Sequence, residues 1–172
     1  DKSMFESIIA WLQATPFADW IRYSLWGYAI FEVLHHFSIA IFFGSIIIAD
    51  LRFLGVGKHL PAIDMNENFL IKATWVGFAL ILITGPSLFI AYADDNLKNP
   101  FFISKMVLIA LAGVNMIFFK FRVSTGMSSW NIDVSPPMAA KISAGLSIIL
   151  WSLTVFAGRF IAYPEVFSSF GG

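Results

Sequence analysis

The first long apolar stretch of the chain decides its fold. Residues 25–49 read LWGYAIFEVLHHFSIAIFFGSIIIA, with one carboxylate and two adjacent histidines among apolar and small residues. About 20 apolar residues in an α-helix cross the ~30 Å hydrocarbon core of a bilayer. The stretch is therefore predicted to be a membrane-spanning helix that carries Glu32, His35 and His36 at membrane depth.

Three further segments have the same length and character, and we predict spans at 72–93, 101–121 and 141–163. Hydrophobic residues make up 58% of the 172 and charged residues only 13%, too few charges for the surface of a water-soluble domain. The expected fold class is all-α. It is a four-transmembrane-helix bundle, and residues 1–172 form a single membrane domain.

The N-terminal segment, residues 3–21, is amphipathic rather than continuously apolar. Met4, Ile8, Trp11 and Leu12 recur at helical spacing with polar residues between them. The segment is too short and too charged to span, so we predict a short N-terminal interfacial amphipathic helix, broken near Pro16. A packed N-terminal helix of a larger assembly is the alternative that the pattern leaves open.

Several classes of function have no support in the sequence. The net charge is zero, so nothing indicates a nucleic-acid partner, and the absence of cysteine excludes disulfides, thiolate metal sites and thiol catalysis. No nucleophile triad, phosphate loop or dinucleotide motif is present. We do not expect an enzyme that acts on its own. The partners expected are the lipid bilayer and other membrane or periplasmic subunits, or further copies of the chain.

Prolines mark the ends and one interior point of the spans. Asn99-Pro100 precedes the third span in the manner of a helix cap followed by a first-turn proline. Pro86 lies inside the second span, where it cannot donate to the Leu82 carbonyl, and we expect a kink there.

The basic residues favour one orientation only slightly. With four spans both termini lie on one side, and the terminal side has Lys2, Arg22, Lys98, Lys105 and Arg159. The opposite side has Arg52, Lys58, Lys72, Lys120, Arg122 and Lys141. The cytoplasmic side of a membrane protein carries the larger number of basic residues, so both termini are predicted to lie outside the cytoplasm.

Glu32, His35 and His36 stand at positions i, i+3 and i+4, and are predicted to share one face of the first helix. Ionisable groups at membrane depth need partners, so this face is expected to point into the bundle. Ala40 and Gly44 continue the line of Glu32 and His36, and such small residues let another helix approach closely.

The candidate site residues are Glu32, His35, His36 and Arg159. Arg159, near the outer end of the fourth span, is placed to pair with Glu32 or to bind an anionic group such as a haem propionate or a lipid phosphate. His35 lies near mid-membrane, the depth of an axial ligand of haem b, and is the candidate metal ligand. A buried hydrogen-bonded histidine is the structural alternative.

The second axial ligand of a haem bound at His35 is not obvious from the sequence. His36 points about 100° away from His35, so the two cannot hold one iron from opposite sides. His59 follows the first span at the wrong depth, which leaves Met106, Met116, a ligand from another subunit, or five-coordinate iron. Copper, a quinone hydrogen-bonded to His35 or His36, and a proton path through Glu32 are further readings.

The order of these motifs resembles a known family. WIRYSLWGYAIFEVLHHFSIAIFFGSIIIADLRFLGVGKHLP, NPFFISKMVLIALAGVNMIFF and AGRFIAY resemble small bacterial four-helix membrane proteins that form a family of unknown function. The resemblance implies the four-helix fold. With the orientation favoured by the basic residues, we expect a protein of the bacterial inner membrane with both termini in the periplasm. The polar positions that the resemblance implies are Glu32, His35, Asp50, Arg52, Asn115 and Arg159, and Lys120 stands where the family pattern has a histidine. The architecture is loosely similar to small membrane cytochromes b and copper-resistance-type membrane proteins.

Three functions are compatible with these features. The first is a membrane subunit that binds haem b or a quinone and passes electrons between a periplasmic partner and the membrane. The second is a non-catalytic structural subunit of a larger membrane complex, for which the small size and short loops speak. The third is a transporter of a metal ion or protons, although no polar path crosses the whole bilayer.

Overall fold

A computed structural model describes residues 2–56, 69–123, 135–163 and 165. In these ranges the chain forms helices and no strand. The helices are α1 Lys2–Gln13, α2 Pro16–Tyr23, α3 Gly27–Phe53, α4 Phe69–Ala91, α5 Ala93–Lys98, α6 Pro100–Phe118 and α7 Met138–Phe160. A π-helical turn, Phe119–Val123, continues α6.

Four of these helices are long and apolar enough to cross a membrane: Gly27–Phe53, Phe69–Ala91, Pro100–Arg122 and Met138–Phe160. The predicted fold class is therefore confirmed, and each span agrees with its predicted position within a few residues. Large apolar side chains cover the outside of the bundle, as a hydrocarbon environment requires. The protein is a multi-pass membrane protein.

The four spans pack as two helix pairs. α3 packs along α4 and α6 along α7, and a contact between α3 and α7 joins the pairs. Phe42 of α3 lies in this junction, where its ring meets the Trp151 ring of α7 edge-on, with 4.7 Å between centroids. Small residues such as Ala144 and Ala157 are buried along α7 and let the helices approach closely, as is usual between membrane helices.

Side-chain hydrogen bonds tie α6 to α7 at both ends. Asn115 Nδ2 donates to the Ser143 carbonyl and Ser143 Oγ donates to Asn115 Oδ1, both at 3.0 Å. At the other end Asn99 Oδ1 accepts from the first amides of α6, and Asn99 Nδ2 donates to the Ile161 carbonyl at 2.9 Å. The predicted cap at Asn99 is confirmed, and the cap also fixes the end of α7.

The N-terminal segment is two helices rather than one, with the break where Pro16 predicted it. Thr15 caps α2: its Oγ1 accepts from Ala18 N at 3.3 Å and donates to the Leu12 carbonyl at 2.9 Å. α1 and α2 pack on the chain's own α4, while the side chains of Met4 and Trp11 are about two-thirds exposed. This exposed apolar surface is typical of a helix that lies in the membrane interface.

Candidate functional site

His35 of α3 points into the bundle, toward α4. Its Nδ1 lies 2.8 Å from Thr84 Oγ1, and Thr84 Oγ1 donates its own proton to the Leu80 carbonyl at 2.8 Å. Since the hydroxyl proton is already committed, Nδ1–H of His35 must be the donor in the His35–Thr84 contact. In the neutral ring this bond places the proton on Nδ1 and leaves a lone pair on Nε2 of His35.

The local sequence of α4 makes room for the His35 ring. Thr84 is buried, and its neighbour Gly85 has no side chain: a Cβ there would lie 3.5 Å from Cε1 of His35. Pro86 follows and has no N–H for the Leu82 carbonyl, yet the helix continues through it to Ala91. Next to His35, therefore, Thr84 provides a hydrogen-bond partner, Gly85 leaves space for the ring, and Pro86 removes one backbone hydrogen bond.

Lys105 of α6 completes this arrangement, and the sequence analysis did not identify it. Its side chain is half-buried and lies against Gly158 of α7, where a Cβ would be 3.5 Å from Nζ. It interacts electrostatically with His35. No carboxylate in the described part of the chain forms an ion pair with it. A lysine inside a predicted span at nearly the depth of a histidine is the signal available in the sequence, where Lys105 is counted only among the basic residues of the terminal side.

The two residues lie near one end of the bundle. His35 follows the start of α3 by eight residues and Lys105 follows the start of α6 by five, which corresponds to ~12 and ~8 Å along the helices. Thr84 precedes the end of α4 by seven residues, or ~10 Å. The site formed by His35, Thr84 and Lys105 thus lies in the outer half of the membrane if the chain termini face outward.

Glu32 and His36 lie on a different face from His35, contrary to the prediction. Together with Val33, Phe37 and Ala40 they line an open groove of about 480 Å³ on the outside of α3. His36 is exposed, and its Nδ1 donates to the Glu32 carbonyl at 2.7 Å. The sequence places the three residues within an arc of about 100° on the helix, but it cannot say which edge of that arc meets the next helix.

Arg159 does not meet Glu32 either. Its guanidinium donates to Tyr163 Oη at 3.1 Å and stacks over the Tyr163 ring, 5.2 Å from the centroid. Neither residue forms an ion pair with the other in the described structure. Arg159 is exposed at the end of α7, where it remains a candidate for an anionic group at the membrane surface.

The two methionines considered as second ligands of a haem face the outside of the bundle. Met106 and Met116 are 48% and 61% exposed, on the lipid-facing side of α6. Lys58 and His59 lie outside the described residues. Across the ranges that the structure describes, no three histidine, aspartate or glutamate side chains come together as a metal site.

Asp50 and Arg52 form part of a separate polar region at the opposite end of α3. Both side chains are 8% exposed, and Asp50 lies within hydrogen-bonding reach of Ser147 of α7. Asp50 follows His35 by fifteen residues, or ~22 Å along the helix. The two regions therefore cannot act on one bound group.

A family model described as a family of unknown function (DUF6644) matches residues 8–164 of the chain. The chain belongs to this family. No curated protein and no solved structure matches it. The matched region contains His35, Thr84 and Lys105, as well as the outward-facing Glu32 and His36.

The site offers a bound molecule one acceptor, on His35, and one donor group, on Lys105. Nε2 of His35 has a lone pair that can accept a proton or bind a metal, and Lys105 Nζ supplies N–H donors and no acceptor. Both are partly withdrawn from water, which strengthens any interaction they make with a bound polar group. The arrangement suits a small group with both a hydroxyl and a carbonyl oxygen, or a metal complex that carries a carboxylate.

Proposed function

We propose that this protein is a small membrane subunit of electron transfer that binds a quinone headgroup between His35 and Lys105. Lys105 Nζ donates to one quinone oxygen, and Nε2 of His35 accepts from the hydroxyl of the quinol. When the quinol is oxidised it releases two electrons and two protons. Nε2 of His35 receives one of these protons and the other leaves to water at the outer membrane surface, while both electrons pass to a periplasmic redox partner, which is reduced.

The observation that carries the proposal is the lysine that lies against Gly158. A charged amine inside a span costs about 2.5–3.5 kcal/mol unless it has a partner, and the described residues offer Lys105 no carboxylate. An acceptor oxygen on a bound molecule supplies that partner. The Phe89 and Phe102 rings stack between α4 and α6 at this end, with 5.4 Å between centroids, and add apolar surface suited to a flat headgroup.

Haem b is the second candidate, and the bond to Thr84 favours it. A histidine that ligates a metal usually donates its other ring N–H to an oxygen, as Nδ1 of His35 does. Nε2 would then be the axial ligand, and Lys105 would meet a propionate. The haem would be five-coordinate or take its sixth ligand from another subunit.

One preparation tests both candidates. We expect protein purified in mild detergent to contain extractable quinone, measured by chromatography of an organic extract, or to give a Soret and an α band in its reduced-minus-oxidised spectrum. His35→Ala should remove the bound group, whereas His36→Ala, one residue away on the groove face, should retain it. If cells supplied with quinone and haem precursors yield protein with neither, the redox function is wrong and a structural subunit becomes the better reading.

Two further pairs of variants distinguish the loss of a contact with the bound group from a general loss of stability. Lys105→Met should reduce bound quinone, while Lys120→Met, at the opposite end of the same membrane span, should not. Thr84→Val should weaken binding, because it removes the acceptor that holds the His35 ring. Thr74→Val is its control, since Thr74 makes the same bond to its own helix, to the Leu70 carbonyl at 2.8 Å. Equal effects within either pair would argue against a site at His35.

The proposal places the chain in a bacterial inner membrane with both termini in the periplasm. The chain has no cysteine, so single cysteines report topology without background. Asp95→Cys, in α5, should react with a membrane-impermeant maleimide in intact cells. Arg122→Cys, in the π-helical turn that continues α6 at the opposite end of the span, should react only after lysis, and the reverse pattern would invert the orientation.

A further inference from the structure

We infer that a second copy of this chain covers the outer face of α3, and that Glu32 of each copy meets His36 of the other. The outer face is defined by Glu32, His36, Ala40 and Gly44, which follow one another at one-turn spacing. The inference goes beyond the proposed function, because it concerns the outer face of α3 and uses neither His35 nor Lys105.

Glu32 is the first reason to expect a cover. It lies in the second turn of a membrane span and lines the open groove, and within the described residues its carboxylate has no hydrogen bond and no ion pair. Its neighbours Val33 and Phe37 are 53% and 65% exposed, so the surroundings are a lipid-facing apolar surface. A carboxylate on such a surface is costly, and membrane proteins place these groups at contacts with a polar partner.

His36 provides the matching group. Its Nδ1–H is bound to the Glu32 carbonyl, so Nε2 is the nitrogen free to meet another molecule. A single proton shared between this Nε2 and a carboxyl group joins the two, whether as an ion pair or as a neutral hydrogen bond. Glu32 and its own His36 stand side by side on one helix, and each presents its free atoms outward.

This pairing makes the face self-complementary. In a dimer with its twofold axis along the membrane normal, equal depths of the two α3 helices meet, and Glu32 lies within one turn of the partner's His36. The contact forms twice, which consumes every polar group of the face. A different protein would have to supply an acid and a base at the same spacing, whereas a second copy has them already.

The small residues below the pair allow the close approach. Ala40 is exposed in the groove, and a Cβ added at Gly44 would meet nothing within 4 Å. The space at Gly44 is thus empty within one chain, unlike the space at Gly77, which α3 of the same chain fills. Two helices with small residues at the crossing bring their backbones close, and the groove of each receives side chains of the other.

Cysteine cross-linking in reconstituted membranes tests the contact directly. Ala40→Cys should form a disulfide-linked dimer on mild oxidation. Val114→Cys is a control at similar depth: it is 64% exposed on α6 but lies on another side of the bundle, and it should remain monomeric. Cross-linking of both or of neither variant would overturn the inference.

A second variant separates dimerisation from folding. Gly44→Leu adds a side chain into space that is empty within the protomer, so it should fold, retain any group bound at His35, and lower the dimer fraction at least about tenfold. Native mass measurement in lipid nanodiscs reads this out. Glu32→Gln should weaken the dimer less, because an amide still donates to Nε2 of His36. A wild-type monomer, or a stoichiometric complex with a different protein on this face, would refute the proposed pairing.

Discussion

At Gly77 the backbones of α3 and α4 approach each other closely. A Cβ at this position would lie 2.7 Å from the Phe42 amide nitrogen and 2.9 Å from its Cα, both backbone atoms that cannot move aside cheaply. The absence of a side chain is therefore what allows the two helices to pack at this distance. Phe42 in turn carries the contact between the two helix pairs, so the effect of Gly77 extends beyond its own helix.

We expect Gly77→Ala to destabilise the protein by about 1–3 kcal/mol, the usual cost of an extra methyl group in a packed interior. Gly113→Ala is the matched control, since a Cβ at Gly113 meets nothing within 4 Å. The control should be neutral or gain up to about 1 kcal/mol from better helix propensity. Unfolding of both variants in mixed micelles, followed by circular dichroism, measures the difference, and equal stabilities would contradict this packing.

His35 and His36 illustrate what a sequence can predict of a membrane site. Their depth, their helix and the need for polar partners follow from hydropathy and spacing. Hydropathy and spacing do not show which of the two histidines faces the bundle. Lipid is as apolar as the interior of the bundle, and no continuous polar stripe along α3 distinguishes the two sides. Thr84 and Lys105 were missed for a related reason: each lies on another helix, and only the packing brings it near His35.

At the scale of whole helices, α6 and α7 are held by a reciprocal pair. Asn115 is one of the polar positions implied by the family resemblance, and the structure shows that it exchanges two hydrogen bonds with Ser143. A double-mutant cycle with Asn115→Ala and Ser143→Ala should give a coupling energy of about 0.5–1.7 kcal/mol, the range for hydrogen bonds between membrane helices. The remaining bond, from Asn115 to the Ser143 carbonyl, survives Ser143→Ala, so additive effects would mean that the hydroxyl contributes nothing.

Arg22 anchors the N-terminal helices to the bundle. Its Nε donates to the Ala91 carbonyl at 2.8 Å, and its terminal nitrogen donates to the Gln13 carbonyl at 3.1 Å. The end of α4 thus receives a cap from α2, and the end of α1 is fixed by the same side chain. A hydrogen bond to Tyr23 raises the pKa of Arg22 further above its usual value, so the anchor keeps its charge even in strongly alkaline solution.

Arg22→Leu should loosen α2 while leaving the four spans folded. We expect amide hydrogen exchange across Pro16–Tyr23 to accelerate about tenfold, as the loss of ~1–2 kcal/mol of charged hydrogen bonds implies. Arg159→Leu is the control, because Arg159 also lies over a tyrosine ring, and both its hydrogen bond and its ring contact among the described residues are to Tyr163 in the next turn. Unchanged exchange in Arg22→Leu would mean that the apolar contacts of α2 suffice.

For the molecule as a whole, the spans and their number could be read from the sequence, since about 20 apolar residues have one stable form in a bilayer. The order of packing could not. The pairing of α3 with α4 and of α6 with α7 depends on Gly77, on Asn115 with Ser143, and on the cap at Asn99. Each of these is a contact between residues that are far apart in the sequence, and no local pattern along the chain reveals it.

This packing predicts that the chain can be divided. Membrane helices are stable individually and associate afterwards, so residues 1–129 and 130–172, expressed as two fragments, should assemble through the α6–α7 contacts. Co-purification through a tag on the larger fragment measures the association. Asn115→Leu in the larger fragment should reduce the yield of the smaller one several-fold, and a yield unaffected by Asn115→Leu would assign the association to apolar packing alone.

The missing backbone bond at Pro86 has a mechanical consequence for the site. The backbone hydrogen bonds of a helix resist bending, and the Leu82 carbonyl accepts none from Pro86, which has no N–H. Thr84, which holds His35, lies between these two residues. Bending of α4 is therefore easiest close to Thr84, the residue that holds the His35 ring. If a quinone binds at His35, as proposed, a small bend of α4 alone would open a lateral route to it from the lipid.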